Sequence, residues 1–144
     1  MEIHFKIVTP ERTVFEDTID QATLPVADGE ITILPNHRSY IGALKAGEIY
    51  LKKDNKEFNF AISGGFIEFN ANNLVVLADT AERAEEIDEK RAEEARARAE
   101  ELKKQKITMD ESEYARVASA IEKEMARLKV ARKHQTKGGI KIDQ

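Results

Sequence analysis

A chain of 144 residues with 41% hydrophobic side chains suits a small domain carrying an appendage better than one large core, and its lack of cysteine excludes disulfides, thiolate metal sites and a cysteine nucleophile. The formal charge of −4 is unevenly spread: residues 1 to 78 carry 7 basic and 11 acidic side chains, residues 79 to 101 carry 5 and 10, and residues 102 to 144 carry 11 and 6. An acidic stretch followed by a basic one is not the single-sign surface nucleic acid demands, and no run approaches the ~18 apolar residues that span a bilayer, so membrane association is expected only through a partner.

From the start of the chain, apolar side chains alternate at Ile3, Phe5 and Ile7, at Ile31 and Ile33, at Ile49 and Leu51, and at Phe58, Phe60 and Ile62. A period of two is that of half-buried strands. Turn signals fall between them at Thr9-Pro10, Ala27-Asp28-Gly29, Leu34-Pro35-Asn36, Ala46-Gly47, Lys53-Asp54-Asn55 and Ala71-Asn72-Asn73, too closely spaced for intervening helices. The pattern predicts about eight to ten short antiparallel strands over residues 1–78, folded as a two-sheet sandwich or flattened barrel.

Nothing in this half assembles a catalytic constellation. Ser63 precedes Gly64-Gly65, but a nucleophile elbow needs a glycine where Ala61 stands, so a glycine bulge is the simpler reading. His4, His37 and His134 are dispersed, and none pairs with a carboxylate at the helical spacing of zinc enzymes. His37, between Pro35-Asn36 and Arg38, reads as a surface turn residue, and Asp28 and Glu30 as solvated neighbours of a turn.

After Val75-Val76 the chain changes to a run rich in Ala, Glu and Arg, and Asp79 with Glu82 three residues on has the form of a capping box. Ala81, Ala84, Ala92, Ala95, Ala99 and Leu102 then line one face of a predicted helix from Thr80 to Lys104, about 37 Å long. Asp88 interrupts that face and needs a partner, either Arg91 at i+3 or a bound group. A polar break at residues 105–109 leads to Asp110 and Glu113, a second capping box. The helix it opens carries the stripe Tyr114, Ala118, Ile121, Met125 and Leu128, with Gly138-Gly139 as its expected end. Two such helices make an antiparallel hairpin, and an alanine-rich seam offers only about 0.8 kcal/mol per methyl-sized group, so an opened form is expected to lie within a few kcal/mol.

The later part of the second helix is basic: Lys123, Arg127, Lys129, Arg132, Lys133 and Lys137 stand against Glu124 alone, a balance of +5 over fifteen residues. No aromatics interleave with them as single-stranded nucleic-acid binding requires. The chain is thus expected to be α+β: a sandwich over 1–78, a helical hairpin over 79–137 and a flexible tail over 138–144.

Asp28-Gly29-Glu30-Ile31-Thr32-Ile33-Leu34-Pro35-Asn36-His37, followed by Ala43-Leu44-Lys45-Ala46-Gly47, resembles the G-E-x-G-I-L-P-x-H then A-L-x-x-G signature of the epsilon subunit of bacterial and chloroplast F-type ATP synthases. Phe60 to Glu68 resembles that family's last hairpin, and Val76 to Ala84 its junction into the helical part. The resemblance covers residues 1 to about 135, with Thr32 in place of the usual glycine and Arg38-Ser39 in place of the usual Ala-Pro. It implies a non-catalytic rotor-stalk subunit that couples the gamma shaft to the membrane c-ring of a proton- or sodium-driven synthase. The implied partners are the gamma subunit, the c-ring and the alpha and beta subunits, with no nucleic acid and no direct membrane insertion. The implied location is peripheral, on the cytoplasmic side of the bacterial inner membrane.

Three residue sets follow from the resemblance. Gly29, Glu30, Ile31, Ile33, His37 and Arg38 would contact gamma and the c-ring. Ile87-Asp88-Glu89-Lys90-Arg91-Ala92 matches the Ile/Leu-Asp-x-x-Arg-Ala motif through which some bacterial members bind ATP as a regulatory ligand, with no cofactor required. Glu82, Ile87, Asp88, Arg91 and Ala92 would then hold the adenine and ribose side, and Arg98, Lys123 and Arg127 the phosphates, Lys123 standing where ATP-binding relatives tend to carry arginine. Lys123, Arg127, Lys129, Arg132 and Lys133 would face acidic segments of the catalytic head when the hairpin extends and inhibits hydrolysis. The alternative reading is a free-standing ATP-sensing module.

Overall fold

A computed structural model describes residues 2–104 and 110–143, with the backbone alone over 135–143. The chain divides into two units, Met1–Arg83 and Ala84–Gln144, so the boundary lies after Arg83 and not after Ala78 as the residue pattern suggested.

In the first unit ten strands form one sheet: β1 (Ile3–Val8), β2 (Thr13–Ile19), β3 (Gln21–Val26), β4 (Gly29–Ile33), β5 (Tyr40–Leu44), β6 (Gly47–Lys53), β7 (Lys56–Ile62), β8 (Gly65–Asn70), β9 (Asn73–Ala78) and β10 (Ala81–Arg83). The order is β10-β7-β6-β3-β5-β8-β9-β1-β2, with β4 also paired to β3. The ends of this path meet. Phe15 of β2 lies with its ring 5.7 Å from Phe58 and 5.3 Å from Phe60 of β7, so the sheet folds over and packs its inner faces together. The seam is fastened where Lys53 Nζ meets Asp17 Oδ1 at 2.8 Å and the Asp20 amide donates to the Lys52 carbonyl at 2.8 Å. The Lys53 ammonium, by its hydrogen bond, holds the Asp17 carboxyl below its usual range.

The core is the one the alternation predicts. Ile3, Phe5, Ile7, Ile33, Ile49, Leu51 and Phe60 are fully buried, each contributing about 1.5–3 kcal/mol. Two-residue turns with both positions at positive φ connect β6 to β7 (Asp54 49°, Asn55 66°) and β8 to β9 (Ala71 48°, Asn72 61°). Such turns match the twist of adjoining strands, and Asn and Asp tolerate the conformation. One pairing departs from the antiparallel expectation: β1 runs parallel to β9, with Phe5 opposite Leu74 and Ile7 opposite Val76.

The stretch after Asp79 also departs. Residues Ala81–Arg83 form β10, with Ala81 opposite Ile62 and Arg83 opposite Phe60, so no helix begins at Thr80 and no capping box forms at Asp79. Helix propensity differs by at most ~0.7 kcal/mol per ordinary residue, whereas the open edge of β7 offers unpaired backbone groups. Arg83 in addition sets its guanidinium 5.3 Å from the Phe15 ring centre and 5.9 Å from that of Phe60.

The second unit opens with a 3₁₀ turn at Ala84–Glu86, followed by α1 (Glu89–Lys104) and α2 (Glu111–Asp143). With 16 residues, α1 is about 24 Å long, shorter than predicted. The break at 105–109 lies outside the described residues. Asp110 caps α2 as expected, its Oδ1 accepting the Glu113 amide at 2.8 Å. However, α2 continues through Gly138-Gly139 to Asp143, so the glycines do not end it and no separate tail begins at 138. Glycine costs a helix about 1 kcal/mol relative to alanine but does not bar helical dihedrals.

The two helices are antiparallel. Arg132, late in α2, reaches Glu89 and Glu93 at the start of α1, while Lys103 at the end of α1 stands 5.6 Å over the ring of Tyr114 at the start of α2. Ala92, Ala99, Ile121 and Leu128 are buried as the stripes predicted, and fully buried Ala131 extends the second stripe. Leu102 and Met125, expected on those stripes, are 50% and 54% exposed.

Candidate functional site

Asp88, which the sequence leaves seeking a partner, is the N-cap of α1. Its Oδ1 accepts the Arg91 amide at 3.1 Å and its carbonyl accepts the Ala92 amide at 3.0 Å. A carboxylate here also meets the positive end of the helix dipole. Its partner is therefore backbone and not the Arg91 guanidinium of an ion pair within a helix. Ile87 and Ala92 are buried at 4% and 0% exposure, which makes them packing residues. Arg91 and Arg98 are exposed and two turns apart on α1, hence on one face, and the antiparallel register puts Arg98 level with Lys123 of α2. Arg127 gives its Nη1 to Glu124 Oε1 at 2.6 Å, and Glu124 is the buried carboxylate of α2 among the described residues. Glu82 belongs to the first unit, on β10, opposite Ala61.

Two open grooves run along the helical unit. One, about 610 Å³, is lined by Glu100, Lys103, Lys104, Tyr114, Ile121 and Met125; the other, about 580 Å³, by Glu93, Arg96, Met125, Leu128, Lys129 and Arg132. None of the residues assigned to ATP lines either groove. Of the basic residues assigned to the head, Lys129 and Arg132 line the second, Lys123 is half-buried and Lys133 exposed. Arg132 bridges two carboxylates one turn apart, Nε to Glu89 Oε1 at 2.9 Å and Nη2 to Glu93 Oε2 at 3.1 Å. Glu93 also pairs with Arg96, which continues to Glu100 at 2.7 Å. The chain Glu89–Arg132–Glu93–Arg96–Glu100 ties α2 to α1. Arg96 first, and Arg132 after it, hold the Glu93 carboxyl below its ordinary range.

The six residues expected to contact gamma and the c-ring lie along β4 and the loop that follows it. Gly29 and Glu30 begin β4, whereas His37 and Arg38 lie beyond its other end, about 13 Å of strand away. Ile33 is fully buried and offers a partner nothing. Ile31 and His37 are half-buried, and Glu30 and Arg38 exposed. Residue reasoning missed an apolar outer face. Ile41 (75% exposed), Phe66 (62%) and Leu77 (54%) stand on β5, β8 and β9, and the register sets Phe66 between Ala43 and Leu77. Only the register shows that these separated residues adjoin, although alternation could have flagged each as outward.

Among the described residues no group of three His, Asp or Glu side chains could hold a metal ion, and no helix is long and apolar enough to cross a membrane. Ser63, the nucleophile weighed from sequence, accepts a hydrogen bond from the Thr80 hydroxyl at 2.8 Å.

Residues 2–84 match the family described as ATP synthase, Delta/Epsilon chain, beta-sandwich domain, and residues 85–132 match ATP synthase, Delta/Epsilon chain, long alpha-helix domain. The change from one to the other falls beside the division between the two units. An ATP synthase epsilon chain of Chloroflexus aggregans is 42% identical over 137 residues, covering 95% of this chain and 97% of that one. The epsilon chain of Desulforamulus reducens is 45% identical over 125 residues, 87% of this chain and 93% of that one. A chain of the Euglena gracilis mitochondrial ATP synthase, in a structure of OSCP/F1/c-ring, superposes with a TM-score of 0.71 at 21% identity over 84% of this chain and 76% of that one. A chain of the Tetrahymena thermophila central stalk/c-ring gives a TM-score of 0.52 at 14% identity, over 60% and 70%. At such identities the two structures speak to fold alone.

Proposed function

The chain belongs to the delta/epsilon-chain family of ATP synthase, and from that membership we propose that it is the non-catalytic epsilon subunit of a central stalk, joining the gamma shaft to the membrane ring. The observation that carries this reading is the match of both family domains, in order, to a sandwich and a two-helix unit across residues 2–132. Its partners are gamma, the c-ring and the alpha and beta subunits, and it sits peripherally on the cytoplasmic side of the membrane. No side chain need perform chemistry: torque passes through packed surfaces. The test is reconstitution. An F-type complex stripped of its epsilon subunit regains coupling between hydrolysis and ion pumping when this chain is added; failure to bind the stripped complex overturns the reading and leaves the free-standing sensor.

The helical unit is the regulatory part of the proposal. Folded, it holds Arg132 against Glu89 and Glu93 of α1, while Arg127 pairs with Glu124 inside α2. Extended, it presents the same guanidiniums to acidic segments of the head and inhibits hydrolysis. A nucleotide shifts that balance only by its differential affinity for the folded form. Arg91, Arg98 and Lys123 supply cations for a triphosphate, and Arg127 joins them on leaving Glu124. Calorimetric titration of the full chain with ATP checks this, with one-to-one saturation expected and silence to millimolar ATP refuting it.

A further inference from the structure

Residues Ala81–Arg83 are strand in this structure although nothing local favours it. Alanine and glutamate are depleted in strands and are among the strongest helix formers, and no glycine or proline stands between Thr80 and Lys104. The helical pattern also continues in phase across the segment. Ala81 and Ala84 precede Ala92 by eleven and eight residues, about three and two turns, so in one unbroken helix they would extend the face that buries Ala92 and Ala99. Asp79 and Glu82 stand at capping-box spacing for such a helix, and Glu86 precedes Lys90 by four. Where local preference and observed form disagree in this way, a functional or strained element is expected.

The strand form is held by few and separable ties. β10 has three residues and ends the strand order, so it can leave β7 without parting any other pair of strands. The Ser63 amide donates to the Thr80 carbonyl at 3.3 Å, and the Thr80 hydroxyl donates to Ser63 Oγ at 2.8 Å. Arg83 lies over the Phe15 and Phe60 rings, and Ala81 is part of the core. Beyond the junction, buried Ile87 and the Asp88 cap fix where α1 starts. The Asp79 amide donates to the Gly64 carbonyl at 3.0 Å. A helix starting at Thr80 makes no use of that amide, so Asp79 can stay anchored in either form.

We propose that residues 80–88 are a strand-to-helix switch: β10 leaves the edge of β7, and the chain from Thr80 to Lys104 becomes one helix capped by Asp79. The exchange gives up the β10 pairing, the Arg83 stacking, the burial of Ile87 and the Asp88 cap. It gains intrahelical hydrogen bonds through the converted segment, the Asp79 cap and the Glu86–Lys90 pair. The strand form is the one observed, so the balance lies on its side until a partner or ligand prefers the other. The inference rests on the regulatory reading above and supplies the element through which the helical unit changes form.

The test uses the full chain. Ser63→Ala together with Arg83→Gln weakens the strand form, because both ties are lost while glutamine keeps nearly the helix propensity of arginine. Backbone carbon chemical shifts of Ala81 and Glu82 read the conformation directly. They should move from strand towards helical values, with a rise in helix content by circular dichroism. Adding Glu86→Gly, which penalises the helix and touches no residue of β10, should return them to strand values. Shifts that go to random-coil values show a frayed strand and overturn the proposal, as do shifts that stay in place. A second pair of substitutions locks the strand: the chain has no cysteine, and Ala61→Cys with Glu82→Cys sets one thiol opposite the other. In the reconstituted complex, oxidising this pair should relieve inhibition of hydrolysis by about fivefold or more over the reduced form. Inhibition that survives complete oxidation overturns the switch as the step that changes the helical unit. If the unsubstituted chain binds the complex and does not inhibit, the regulatory reading falls alone, and the shifts of Ala81 and Glu82 still decide the switch.

Discussion

Gly65 provides a sharp test of why the sandwich needs its glycines where it has them. Its φ is +147°, and a Cβ placed there would lie 2.0 Å from the Leu77 carbonyl oxygen and 2.9 Å from the Ala78 Cα. Both atoms are backbone of β9, so no rotamer change relieves the contact. The strands must part where Gly65 faces Ala78 and Phe66 faces Leu77. Alanine at such a φ costs about 1–2 kcal/mol by itself, and forced separation of packed elements adds roughly 1–3 kcal/mol. Gly65→Ala is therefore expected to lose about 3 kcal/mol, a large part of the ~5–15 kcal/mol that holds a domain folded. Gly29→Ala isolates the backbone part, since Gly29 also has positive φ, 133°, but nothing within 4 Å of its added carbon. Urea unfolding followed by circular dichroism measures both. A Gly65→Ala midpoint equal to that of Gly29→Ala would mean that the close approach of β9 does not require the glycine, and the reasoning would fail.

Asp88→Ala should remove about 1 kcal/mol from the helical unit as a lost N-cap, and Arg91→Ala should not; if ATP binds at the motif, calorimetry should find both variants silent. The carboxyl of Glu93 is held below its ordinary 4.5 by Arg96 and then Arg132. Its folded form is the stronger acid, so its stabilising effect is complete above the ordinary value and is lost as pH falls through the lowered one. Acid titration of helicity should therefore show a shallower loss below about pH 4.5 in Glu93→Gln, and equal curves would exclude a part for Glu93. Tyr50 donates to Glu57 at 2.6 Å, which pushes its phenol up to about 12. Because the folded state holds that proton more tightly, the stabilisation is present below pH 10 and disappears as pH rises towards 12. Ultraviolet titration should show the highest tyrosine transition falling in Glu57→Gln.

Much of this was readable from residues in order. The alternation at Ile3, Phe5 and Ile7 and at Phe58, Phe60 and Ile62 predicted strands, and five of those six side chains are fully buried. Burial on one side of a sheet leaves a period of two in the chain itself. Asp110 as an N-cap was equally local, because the cap and the amide it serves are three residues apart. The signature from Asp28 to Gly47 pointed to the family that both domain matches support. The candidate site was less legible. Asp88 is a misfit only in a helix that starts at Thr80; with Ala81–Arg83 in a strand, the helix starts after Asp88 and its carboxylate is the cap.

Sequence by itself determined what local periodicity and local capping can encode: the strand-rich first part, the helical second part, most of the buried faces and the family. Tertiary structure decided whatever depends on which backbone edge is open and which distant residues adjoin. The edge of β7 drew Ala81–Arg83 into a strand against their helical propensity. Parallel pairing of β1 with β9 joined the first hairpin to the rest of the sheet, the curl of that sheet buried Ile33, and Asn36 met Asn72 across 36 positions of chain. No window of sequence holds such pairs together, because their energy exists only once the backbone has brought them within hydrogen-bonding distance.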